Sequence, residues 1–208
     1  KEFWTRQGPM KIGLLSDIHA NLPALEAVLA ELEGVECLAC AGDLVGYYDH
    51  PNEVCALLRA RARWVVAGNH DAYVAQHQHP GPGRHGDYGL DRTRAALTAE
   101  HRQWLASLPE ELSFQAGRFE VRLRHTGPRG GPTYLYADSP ALAALYLDAH
   151  EVLVLGHTHC PMRVQCGEGW IINPGSVGQP RDGREGASYA IFDSDSGEVA
   201  FHRVLYAP

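Results

Sequence analysis

Three apolar stretches of strand character open this chain, and each runs directly into a polar group. They are KIGLLS (residues 11–16), ECLACAGD (36–43) and RWVVAGNHD (63–71), separated by two helix-patterned segments. In NLPALEAVLAELEG (21–34), Asn21 is placed to cap a helix whose apolar face carries Leu22, Leu25, Val28, Leu29 and Leu32, and Gly34 ends it. PNEVCALLRARA (51–62) reads as a second helix starting near Pro51. Such a β-α-β-α-β opening demands a parallel sheet, whose loops at the carboxyl ends of the strands gather the chemistry.

The strand exits carry that chemistry. SDIH follows the first strand, GDLVGY the second and GNHD the third; further on, His125 follows VRLR and GHTH follows VLVL. In extended chain, residues two apart point the same way, so Asp17 with His19, and His157 with His159, are each expected to present two side chains to one pocket. His125 shares strand parity with Val121 and Leu123, while Gly42, Gly68 and Gly156 allow the backbone to turn beside the polar groups. Imidazole suits borderline transition metals and carboxylate suits harder ones, so a site with both fits Mn, Fe or Zn. Asp17, His19, Asp43, Asn69, His125, His157 and His159 are seven candidate ligands, more than one ion requires. Two neighbouring ions sharing a carboxylate would use them all, and such pairs serve in-line displacement at phosphorus. His101, His150 and His202 read as solvated residues, and His50, His77, His79 and His85 as loop residues at most near the rim.

With 208 residues and 45% hydrophobic content, the chain supports one domain with a substantial core. KEFWTRQGP ahead of Met10 is read as a cloning remnant (residues 1–9), leaving 10–208 as that domain. A net charge of −7 argues against a stable nucleic-acid partner, though not against a phosphate-bearing substrate, because bound cations supply positive charge locally. No apolar run approaches the roughly 18 residues of a membrane span. Five cysteines, an odd number without dense spacing, suggest reduced thiols and a cytoplasmic protein. Cys37 and Cys40 stand three apart in a strand, on opposite faces, which suits buried thiols and not a metal clip.

HQHPGPGRHGDYG (77–89) reads as a loop near the site, TRAALTAEHRQWLASLP (93–109) as one helix and SPALAALYLD (139–148) as a helical piece. FEVRLRH, VLVLGHTH, MRVQCG, GWIINPGS, ASYAIFD and EVAFHRVL read as strands, so the second half is mainly β. Asn173, Gly175 and Ser176 are expected to form a turn.

DIH, GDLVGY, GNHD, the His125 block and GHTH, in this order, together with GYYDHPNE, HTGPRG and NPGSVGQPRDG, resemble the calcineurin-like metallophosphoesterases, specifically their small bacterial and archaeal phosphodiesterase-type members. The resemblance spans roughly residues 11 to 193. It implies an α/β fold of two mixed β-sheets packed as a sandwich flanked by helices, with a dimetal centre at the rim. It also implies that Asp17, His19 and His159 bind the first of two divalent ions (Mn, Fe, Zn or Ni, with Mn favoured for activity). Asn69, His125 and His157 would bind the second, and Asp43 would bridge. His70 would protonate the leaving group, oriented by Asp71 or Asp49, with Asn69, His70 and Arg181 contacting the substrate phosphate. Thr126, Tyr48 and Asp49 depart from the family pattern at the rim. The reaction implied is hydrolysis of a small phosphate ester, a nucleotide being one candidate, by a hydroxide bridging the metals. Hydrolysis of dinucleoside polyphosphates and a non-catalytic scaffold are the alternatives, and a homodimer is the oligomer left open. With few residues outside the motifs, an open and shallow site is expected.

Overall fold

Alternation along the strands sorts the apolar residues into layers, and the layers set the architecture. The computed structural model describes residues 8–76, 88–127 and 134–207. One five-stranded sheet has the order β10 (Glu198–Val204), β9 (Ala187–Asp193), β1 (Lys11–Leu15), β2 (Cys37–Cys40), β3 (Trp64–Val65). β9 runs antiparallel to both β10 and β1, whereas β1, β2 and β3 are parallel, as the βαβ pattern requires. The second sheet has the order β4 (Glu111–Ala116), β5 (Phe119–Arg124), β6 (Glu151–Val154), β8 (Gly169–Asn173), β7 (Met162–Cys166), with parallel pairs in the middle and antiparallel ones at both edges.

Ile12, Leu14, Cys37 and Ala39 of the first sheet meet Val121, Leu123, Val152, Val154 and Ile172 of the second in the layer between them. Leu15, Leu38 and Cys40 point the other way, against α1 (Leu22–Glu31) and α2 (Pro51–Arg61). Cys37 and Cys40 therefore sit in different cores, and both are free thiols. On the far face of the second sheet, Leu153, Leu155 and Ile171 are covered by a 3-10 segment, Pro140–Ala144, where a helical piece was expected.

The Asn21 side chain accepts from the Ala24 amide, and Leu25, Val28, Leu29 and Leu32 are buried. Each such side chain contributes about 1.5–3 kcal/mol by leaving water. Gly13 lets this helix approach β1: a Cβ there would lie 2.7 Å from Leu38 Cδ2 and 3.1 Å from Leu32 Cδ1.

Three readings of the sequence need correction. RWVVAGNHD is not one strand: β3 pairs for two residues, and α3 (Asn69–Ala75) begins at the asparagine, because the Asp71 carboxylate reaches back to accept the Gly68 amide at 2.8 Å. The single helix over 93–109 is two, α4 (Leu90–Ala96) and α5 (Ala99–Ser107), because Leu97 turns extended and the Thr98 hydroxyl caps α5 by accepting from the His101 amide. The strand β4, unread in the sequence, pairs with β5 from Glu111 to Ala116.

Candidate metal centre

The strand exits converge on one end of the two sheets, but not through extended backbone. Asp17, His19, Asp43, His157 and His159 have φ of 54°, 56°, 55°, 71° and 60°. This left-handed conformation is uncommon for residues with a Cβ. Alternation by two therefore does not explain their directions. Each loop is held in the strained form by its neighbours: the Asp17 amide donates to Gly42 O (2.9 Å), the Ile18 and His19 amides both donate to Asp43 O (2.8 and 3.0 Å), and Asp17 O accepts from the Gly178 amide (3.0 Å). The Ser176 hydroxyl also donates to Asp17 O at 2.6 Å. Asn173 ends β8, its Oδ1 accepts from the Gly175 amide at 2.9 Å, and the segment that follows braces the first loop.

Asp17, His19 and His159 form one group of potential ligand atoms, and Asp43, His125 and His157 another; a third combines His19, Asp43 and His70. Asp43 stands between the first two. Its Oδ2 is 3.2 Å from His125 Nε2 and 3.9 Å from His19 Nε2. Asn69 Oδ1 is 3.1 Å from His125 Nε2, so all seven candidate ligands of the sequence lie together, although from two different sheets. His157 and His159 line one cavity and divide between the two groups, the division that the resemblance implies.

The second ring nitrogens show which atoms face inward. His19 Nδ1 meets Val45 O at 3.3 Å, His125 Nδ1 meets Ala41 O at 2.7 Å and His159 Nδ1 meets Gln179 O at 2.5 Å. A carbonyl only accepts, so Nδ1 carries the proton in each ring and Nε2 offers a lone pair to the site, the arrangement found for metal-ligating histidines. The consequence is a cluster of acceptors. His19 Nε2 and His159 Nε2 are 3.1 Å apart, and His125 Nε2 faces both Asn69 Oδ1 and Asp43 Oδ2. Such a set repels itself unless an electropositive atom is shared, and the donor types fit a borderline divalent ion.

The proton affinities carry the same message. Burial disfavours a charged His125, but Asp43 and Asp17 outweigh it and raise the ring to about 10, so a proton would take the place of a cation there. Burial would raise Asp17, yet its hydrogen bond to His159 and the charges of His159 and His125 bring it to about 2. Burial raises Asp43 too, but the charge of His125, followed by that of His70, holds it well below the usual carboxylate range. His19 falls to about 3 and His157 to about 4, burial being the main cause for both, so these rings are neutral at pH 7.

A cavity of about 240 Å³ opens over this cluster. Asn69, His70 and Arg181, expected to contact the substrate, all line it. His70 is buried; its amide donates to Asp43 Oδ1 at 2.8 Å, and its Nδ1 has no hydrogen-bond partner. Burial lowers its pKa, although Asp43 opposes this. The catalytic place given to Asp71 is corrected. Its Oδ1 accepts from the Leu44 and Val45 amides at 2.9 and 3.2 Å and its Oδ2 from Gly68, so it fixes two loops by their backbones and does not reach the His70 ring. Asp49 does not orient that ring either, being exposed and paired with Arg92 Nε at 2.7 Å. Arg181 donates to the Tyr47 hydroxyl at 3.1 Å and to Gln179 Oε1 at 2.9 Å. Residues 77–87 of the expected rim loop lie outside the described residues.

Tyr47, Tyr73, Tyr88 and Tyr134 also line the cavity, and no sequence argument singled them out. Tyr47 lay inside the GDLVGY motif and Tyr88 inside the loop 77–89 read as lying near the site; Tyr73 and Tyr134 carry no pattern.

Comparison with known proteins agrees with this geometry. The chain is 33% identical over 198 residues to the phosphodiesterase YfcE of Escherichia coli, covering 89% of each chain. It is 32% identical over 214 residues to the uncharacterized protein MJ0912 of Methanocaldococcus jannaschii, covering 94% of this chain and 87% of that one. The crystal structure of a metallophosphoesterase from Sphaerobacter thermophilus is similar over 96% of this chain and 90% of its own, with a TM-score of 0.79 and 34% identity. Residues 10–197 match the family model of the calcineurin-like phosphoesterase superfamily domain, and the chain belongs to that superfamily.

Proposed function

We propose that the protein hydrolyses small phosphate esters, phosphodiesters foremost, with the phosphoryl group held over Asp43. The observation that carries this reading is the convergence of acceptors from both sheets: Asp17, His19 and His159 on one side, Asn69, His125 and His157 on the other, and Asp43 between them. In this reading each trio holds one divalent ion, Asp43 is shared, and manganese is the ion we favour among those that accept mixed imidazole and carboxylate donors. Two such ions, when bound, would supply positive charge against the phosphoryl oxygens and acidify the attacking water. The carbonyls of Ala41, Val45 and Gln179 orient the imidazoles. His70, whose amide donates to Asp43 Oδ1, hydrogen-bonds the departing oxygen, and its imidazolium form gives that oxygen its proton and is left as neutral imidazole; burial, which lowers the ring's pKa, makes it the stronger acid. Arg181 stands at the cavity wall, within reach of a phosphate oxygen as a planar donor.

Metal analysis and turnover of the reconstituted protein test this. About two ions per chain are expected, and His70→Ala should keep them while losing roughly 10²–10⁴-fold in turnover on an ester with an alkoxide leaving group. The loss should shrink on a nitrophenyl ester, whose leaving group needs little protonation. Full activity at one ion would overturn the shared role of Asp43. Loss of metal in the His70 variant would make His70 a ligand, and a metal-loaded protein without turnover on any ester would favour the scaffold.

A further inference from the structure

We infer that Tyr47, Tyr73, Tyr88 and Tyr134 form a receptor for a planar aromatic group on the alcohol part of the ester, so that the preferred substrates are nucleoside or aryl-bearing phosphodiesters. This rests on the phosphoester reading above and specifies its substrate class. Four of the nine tyrosines line this one cavity. They are not core residues: Tyr47, Tyr73 and Tyr88 are half-buried and Tyr134 is 46% exposed, whereas Tyr189 packs into the core at 4%.

Three of the rings surround His70, the residue that meets the leaving oxygen in the phosphoester reading. Tyr47 lies nearly parallel to the imidazole, with centroids 5.0 Å apart and planes at 25°. Tyr88 is 4.9 Å from the same ring and edge-on to Tyr47 at 5.5 Å, and Tyr73 is 5.9 Å from His70. The fourth stands in irregular chain ahead of the 3-10 segment, against a loop of the second sheet. Tyr134 packs at 4.0 Å on His157, and its exposure leaves ring surface toward solvent. An ester seated over Asp43 thus has aromatic surface on both sides of its alcohol. The Tyr47 ring is further positioned by Arg181, itself held by Gln179. Such rings gain little from an alkyl chain compared with a flat π-system, which stacks or meets them edge-on, and stacking tolerates any base.

Methyl phosphodiesters of adenosine, benzyl alcohol and glycerol share an alkoxide leaving group and differ in the ring. The wild-type protein is expected to prefer the two ring-bearing esters by about tenfold in kcat/KM, the worth of one stacked ring. Tyr88→Ala and Tyr134→Ala should each reduce that preference several-fold through KM, the Phe variants should keep it, and Tyr146→Ala, remote from the cavity, should not alter it. A preference for adenosine over benzyl would assign the receptor to nucleobases, and the reverse to simple aryl groups. Equal rates on all three esters, or alanine variants that slow all three alike, would overturn the inference. If none of the esters is hydrolysed, the phosphoester reading fails separately. Calorimetric binding of adenosine monophosphate against glycerol phosphate then decides: tighter binding of the nucleotide that Tyr134→Ala abolishes supports the receptor, and equal binding sinks it.

Discussion

Gly46 shows how little room the site leaves. Its φ is +91°, and a Cβ there would lie 2.5 Å from His70 Nδ1. Gly46→Ala therefore imposes backbone strain of about 1–2 kcal/mol and drives the imidazole from its place. We expect metal content to hold and turnover to fall by about tenfold or more, within the range that a lost general acid explains. Wild-type turnover in that variant would mean that His70 does not work from where it lies. At this scale the sequence was legible in its donor types, because Asp, His and Asn at successive strand exits have few other uses. The directions of those donors were not, since alternation assumes extended chain and Asp17, His19, His157 and His159 are left-handed. Asp71 misled for a related reason: beside His70 in sequence, it is turned by the first turn of α3 onto backbone amides. The tyrosines were invisible because only the fold brings positions 47, 73, 88 and 134 together.

Among the elements, the tightest joint is between β1 and α1. Gly13→Ala would press a methyl group onto Leu38 and Leu32, which belong to the core under that helix. Overpacking of this kind costs about 1–3 kcal/mol, so the urea midpoint should drop with an unchanged slope. An unchanged midpoint would show that the leucines repack freely. The helices α1 and α2 were readable to within a few residues because Asn21 and Pro51 mark their starts. The break between α4 and α5 was not, since the run through Leu97 and Thr98 lacks Gly or Pro and the cap is a single hydroxyl. The strand β4 was overlooked for lack of burial: of its six residues only Ala116 is fully covered, so its alternation is weak. The helical start at GNHD carried a signal, an acidic residue three positions after Gly68, but the preceding apolar run suggested a continuing strand.

For the whole molecule, the centre gathers side chains from two sheets whose shared layer is apolar. Asp17, His19 and Asp43 come from loops of the first sheet, and His125, His157 and His159 from loops of the second. If that centre holds cations as proposed, removing them would leave Asp17 and Asp43 facing an uncompensated acceptor cluster. A ligand present at a thousand times its Kd stabilises by about 4 kcal/mol. In a chain of this size each kcal/mol is worth about 2–4 °C. Chelation should thus lower Tm by roughly 8–16 °C, as read by calorimetry with and without EDTA. No shift would mean that the ions do not clasp the sheets. The sandwich itself was legible only through the resemblance, because hydrophobic alternation tells which face is buried and not which sheet lies opposite. The strand order has one more consequence, concerning the time at which the site comes into being. All seven donors precede residue 160, yet β1 lies between β2 and β9, and the Asp17 loop is fastened by Ser176 and Gly178. A nascent chain halted before Ala187 would own every donor and lack the scaffold that aims them. On the proposed reading, tight ion capture would therefore belong to finished molecules, and fragments halted early would hold metal no better than any unfolded chain bearing the same side chains.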